Sequence, residues 1–153
     1  MSVVPSLSRE TESDERASAG ASASGSASEA RSNAPPLVAR LLYGGVLAFT
    51  GLNHFRNTEG MVGYVESKGV PEAGLAVPLT GAMLVASGLG IALWRLPRLA
   101  AATAAAFFVA VTPTMHDFWN AEGDERGDQR NNFLKNAAML GAAVAFLSRG
   151  EDG

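Results

Sequence analysis

Apolar positions along this chain fall into four long blocks, and polar or proline-bearing stretches set the limits of each. The first block, Leu37 to His54, is preceded by Asn33-Ala34-Pro35-Pro36, a helix-start signal, and carries Arg40 one turn inside its beginning. An arginine so near a helix end can extend its head to a polar interface, so it does not prevent the segment from spanning a membrane. The second block, Gly74 to Trp94, is free of charge over a length that matches a bilayer crossing. Leu99 to Trp119 forms the third, entered through the short turn Arg95-Leu96-Pro97-Arg98, with Pro113 expected to kink it near its end. The fourth, Asn131 to Leu147, has a purely apolar stretch only from Ala137 to Leu147; its place across the membrane is inferred from a hairpin with the third block. Thr58 to Lys68, closed by Gly69 and Pro71, reads as a short interfacial helix with Met61, Val62 and Val65 on one face. The expected fold is all-α: a transmembrane four-helix bundle over residues 35–149, with an interfacial helix between helices 1 and 2.

Little hydrophobic drive exists between helices in lipid, so small residues must let backbones approach. Intervals of four and three place Arg40, Gly44, Leu47, Gly51 and His54 on one seam of the first helix. The same intervals link Gly81, Val85, Gly88 and Ala92 on the second, and Ala105, Val109, Thr112 and His116 on the third. The competing reading is a soluble four-helix protein with an alanine-rich core.

Residues 1–34 differ from the rest. They are mainly Ser, Ala, Gly and Glu, which bury too little apolar surface to offset ordering entropy, so a disordered, low-complexity acidic tail is expected there. It lacks the basic stretch and apolar core of a secretory signal. Cysteine is absent, which removes disulfides and thiol redox chemistry, and the formal net charge of -3 offers no clustered basic face for nucleic acid.

Up-and-down connectivity brings the ends of the first and third helices and the start of the fourth to one side. That side gathers His54, His116, Asp117, Trp119, Asn132, Lys135 and Asn136. Asn132, Lys135, Asn136 and Met139 follow helical spacing and form one stripe, and Asp117 is the expected counter-ion of Lys135. Such a set suits a quinone head held by histidine and asparagine hydrogen bonds, with Phe118 and Trp119 as stacking walls, or a proton relay. It equally suits a structural network that fastens helix ends. His116 and Asp117 are neighbours and point about 100° apart on a helix, which argues against a metal triad. No nucleophile motif, phosphate loop or nucleotide fingerprint is present.

Gly51-Leu52-Asn53-His54-Phe55, Gly69-Val70-Pro71, His116-Asp117-Phe118-Trp119 and Asn132-Phe133-Leu134-Lys135-Asn136 with Gly141 resemble the DoxX family of small four-helix membrane proteins. The resemblance implies a multi-pass cell-membrane protein in contact with lipid. By analogy with subunits of a thiosulfate:quinone oxidoreductase, it also implies a role beside quinone chemistry, with an oxidoreductase partner subunit or a homo-oligomer. The alternative is a non-catalytic membrane scaffold; a small-solute transporter is less favoured, since no inverted repeat is evident. Basic residues balance across the two sides, and the short Arg95–Arg98 loop favours cytoplasmic termini.

Overall fold

The computed structural model describes residues 34–150 together with Ser18 and Gly20, so the tail expected over 1–34 lies almost wholly outside the described residues. Five helices form among them: α1 (Leu37–Arg56), α2 (Thr58–Ser67), α3 (Ala73–Ala92), α4 (Pro97–Met115) and α5 (Gly123–Arg149). The all-α class and the short helix between the first two long ones are as the pattern predicts. Two ends differ from expectation. The third long helix stops at Met115, leaving His116 to Trp119 outside it, and α5 begins at Gly123, two turns before Asn131. Asp124 and Glu125 fall in the first turn of α5, where acidic groups favour the positive end of the helix dipole.

Two antiparallel pairs make up the body. The α1–α3 pair is a glycine seam, as the spacing predicts. A Cβ at Gly51 would lie 2.6 Å from the carbonyl oxygen of Gly81, and one at Gly44 would overlap the carbonyl of Gly88. Buried Leu47 and Leu84 fill the space beside these contacts. In the α4–α5 pair Ala101, Ala104 and Phe108 face Ala143 and Phe146 in one apolar cluster. The seam expected on this helix holds in part: Thr112 is buried and Ala105 and His116 are half-buried, but Val109 is 60% exposed, and the buried positions are Pro97, Ala100, Ala101, Ala104, Phe107, Phe108 and Thr112. The large phenylalanines turn the helix away from the face that small residues alone would choose.

The two pairs meet where Tyr43 stacks on Phe146 at 5.1 Å between ring centroids and Trp94 tilts against the same ring at 6.3 Å. Trp94 also sits under the Arg40 guanidinium, 5.6 Å from the ring centre. The chain reverses here through a Schellman motif: Arg95 N–H bonds Gly90 O at 2.8 Å and Trp94 N–H bonds Ile91 O at 3.2 Å. Trp94 therefore occupies the left-handed position usually given to glycine, with φ 54°. Its packing on Phe146 and Arg40 offsets the strain.

The outward faces are apolar as well. Val38 and Leu42 are each 67% exposed and Phe49 66%, with Leu75, Leu79, Leu89, Leu99 and Val144 also facing out. Helices apolar on every side belong either to the centre of a large protein or to a bilayer. By length and apolarity α3 and α4 are able to cross a membrane. Arg40, Asn53, His54 and Arg56 lower the apolarity of α1, and the first half of α5 is polar from Gly123 to Asn132.

Candidate functional site

The glycine seam sets His54. Because Gly81 has no side chain, the Cβ of His54 can lie where a Gly81 Cβ would approach to 2.7 Å, and the ring is buried in the last turns of α1. Its Nδ1 is 3.1 Å from the carbonyl oxygen of Val77 and 3.2 Å from Thr80 Oγ1. Both partners come from α3.

His116 follows the last residue of α4 with φ -123° and ψ 59°, so its ring leaves the helix axis. Its Nδ1 lies 3.1 Å from Oε1 of Gln129, a buried residue of α5. Gln129 was not among the expected site residues. Its only sequence signal is its place seven residues before Asn136 on the same helix face, visible once α5 is known to start at Gly123.

Asp117 does not pair with Lys135. Its Oδ1 accepts from Lys68 Nζ at 2.7 Å, and its Oδ2 accepts from Asn120 Nδ2 at 3.2 Å. The hydrogen bond from Lys68, then that from Asn120, holds the Asp117 carboxyl below the usual carboxylate range. The same bond raises Lys68 above the ordinary lysine range. The reason for the different partner is the early end of α4: once the chain leaves the helix at His116, Asp117 faces the C-terminal end of α2. A second tie lies beside it, with Tyr64 Oη donating to Met115 O at 3.0 Å.

Phe118 and Trp119 are not among the residues that line the cavity between the helix pairs. They pack edge to face with each other and with Phe133 at 5.2 to 6.1 Å between centroids. Asn132 is exposed and also faces away from the helix interior.

Between the helix pairs lies a cavity of about 660 Å³, lined by residues of all five helices. Its floor is apolar, with Leu47, Leu84, Phe107, Phe108 and Met139, and α2 covers one side through Met61, Tyr64 and Val65. His54, His116, Lys135 and Asn136 line its polar end, joined by Thr50, Thr80 and Thr114. Four of the seven expected residues thus share one cavity, whereas Asp117, Trp119 and Asn132 do not line it. Among the described residues no three of His, Asp and Glu converge to hold a metal ion.

A family profile described as DoxX matches residues 36–117, just over half of the chain, and α5 lies beyond the end of that match. No curated protein and no solved structure gives a significant match.

Proposed function

The chain belongs to the DoxX family, and from that membership we propose that it is a multi-pass membrane protein, an accessory subunit of a membrane oxidoreductase, whose cavity receives a quinone. In this reading α1 and α5 cross the bilayer beside α3 and α4, so that both termini lie on the side of the Arg95–Arg98 turn, the cytoplasmic one. The observation that carries the reading is the cavity itself. Its volume of about 660 Å³ is in the range of small-molecule sites, its walls are largely apolar, and its polar side chains gather at one end. An amphiphile with a ring head and an apolar tail has this distribution of polarity. The outward belt of Val38, Leu42, Phe49, Leu79 and Leu89 supports contact with lipid.

The test is photoaffinity labelling in lipid nanodiscs with a diazirine-bearing short-chain quinone, followed by peptide mapping. Labels on Met61, Met115 or Met139 that are competed by unlabelled quinone are expected. Labels confined to the outer belt, or insensitive to competition, favour the scaffold reading instead. One set of observations supports that second reading: Lys68–Asp117, His116–Gln129 and His54–Val77 each tie two separate segments of the chain. As a scaffold, the protein would lose many degrees of thermal stability on His116→Ala; as a binding protein it would keep its fold and lose its ligand.

A further inference from the structure

Where His54 of α1 meets α3, the cavity's polar wall has a definite hydrogen-bonding sense. A backbone carbonyl only accepts, so the contact of His54 Nδ1 with Val77 O at 3.1 Å requires the proton on Nδ1. Thr80 agrees with that assignment: its hydroxyl donates to Ala76 O at 2.8 Å, leaving its oxygen to accept from His54 Nδ1 at 3.2 Å. In the neutral ring Nε2 is then a bare acceptor, and it makes no hydrogen bond among the described residues. Two further cavity hydroxyls have also given away their protons. Tyr64 Oη donates to Met115 O at 3.0 Å and Thr114 Oγ1 to Ala110 O at 2.8 Å. His116 repeats the His54 pattern, with Nδ1 against the amide oxygen of Gln129.

We propose that the cavity selects the hydroxylated, reduced head of its ligand, a hydroquinone, over the oxidised quinone. This rests on the reading of the cavity as a site for a ring-headed amphiphile and adds the form in which that ligand is held. A hydroquinone carries O–H donors for His54 Nε2 and Thr80 Oγ1 and oxygens that still accept from Asn136 and Lys135; a quinone carries only carbonyl oxygens, which would face the lone pairs of His54 and Thr80. Sites built to bond a hydroxyl discriminate against analogues that lack it, because the buried acceptor is left without a partner. Thr50, Lys135 and Asn136 line the same end and can donate, but a hydroquinone oxygen accepts from them as a quinone carbonyl does, so they do not distinguish the two forms.

The experiment is calorimetric titration of the wild-type protein in nanodiscs, kept anaerobic, with three ligands: a decyl-benzoquinone, its hydroquinone, and the dimethyl ether of that hydroquinone. Empty nanodiscs supply the partition baseline. The hydroquinone is expected to bind about tenfold more tightly than the quinone, and the dimethyl ether no better than the quinone. Equal affinity for all three, or tighter binding of the quinone, overturns the selectivity and leaves the cavity reading standing. Saturable binding by none of them overturns the cavity reading itself. A second measurement needs no ligand and no variant: long-range proton–nitrogen spectra of histidine-labelled protein should show His54 protonated at Nδ1. Protonation at Nε2 in the neutral ring would remove the basis of the proposal.

Discussion

At one end of the helix body Tyr43, Trp94 and Phe146 fill the space between the two helix pairs; at the other, His54, His116, Lys135 and Asn136 stand around an open cavity. The closed end is held by close backbone approach and aromatic packing, interactions that need no water and tolerate no added volume. The open end is held by single hydrogen bonds from long side chains: Lys68 to Asp117, Tyr64 to Met115, His116 to Gln129. Shape complementarity can close one end of a bundle in lipid, whereas a chamber must be bordered by groups that reach across a gap. The packing at the closed end is what fixes the helices, and the open end is where the proposed ligand would enter.

The largest effect is expected from breaking the glycine seam. Gly88→Val would drive a side chain into the carbonyl of Gly44 and the backbone of Ala48, neither of which can move without moving a helix. A loss on the order of 3 kcal/mol is expected, measured by unfolding in detergent, since overpacking typically costs that much. Gly45→Val on the adjacent face meets nothing within 4 Å and should change stability by about 0.5 kcal/mol or less. Equal effects at the two positions would show that the seam is not where the pairs are fixed. Next in size is Phe146→Ala, which removes the ring shared by Tyr43 and Trp94. About 2 kcal/mol is expected, below the usual cost of a buried Phe→Ala change because, with α5 across the bilayer as proposed, lipid supplies less drive for burial. Binding of a quinone analogue, proposed for the cavity at the far end, should be unchanged.

This contrast also explains what could be read from the sequence. Gly44, Gly51, Gly81 and Gly88 were legible because a glycine repeat allows few packings other than backbone contact. Gly69 ended α2 as expected, with φ 75°. The buried face of α4 was not legible: a run of alanines offers several equivalent stripes, and Phe107 with Phe108 decided among them through contacts with a helix far away in sequence. The same limit applies to Asp117. Its charge invited pairing with Lys135 on the next helix, but the partner depended on where α4 ends, which Pro113 and the residues after it do not specify locally. Four of the seven expected site residues share the cavity because helix order alone places them at one end; Gln129, Thr80 and Tyr64 escaped notice because each acts through a hydrogen bond that periodicity does not encode.

A smaller effect separates ligand positioning from fastening at the open end. Gln129→Leu keeps the volume of a buried side chain and deprives His116 Nδ1 of its acceptor. A loss of about 1 kcal/mol in unfolding free energy is expected, together with weaker quinone-analogue binding by calorimetry. If stability falls and binding does not, His116 serves the helix ends and not the chamber.

The smallest global effect, and the one that bears most directly on the open end, belongs to the tie between Lys68 and Asp117. Both side chains are partly exposed, at 19% and 25%, so solvent screens their attraction, and overall unfolding should respond little to Lys68→Met. The local effect should be visible, because α2 is held against the end of α4 by this pair and by the Tyr64 hydroxyl. Backbone amides of α2 are expected to exchange a few-fold faster in Lys68→Met, and faster again when Tyr64→Phe is added, while amides of α3 stay unchanged. Acidity provides an independent handle. Asp117 titrates below its unfolded value, so its contribution is present above about pH 4 and fades as pH falls through the lower folded value. Lys68 titrates above its unfolded value, so its contribution is present below about pH 10 and fades as pH rises through the higher folded value. Exchange in α2 of the wild type, corrected for intrinsic rates, should therefore stay level across that window and accelerate at its acidic edge, while Lys68→Met stays fast throughout. A wild-type profile that instead changes near neutrality would mean that the cover over the cavity is governed by some other group than this ion pair.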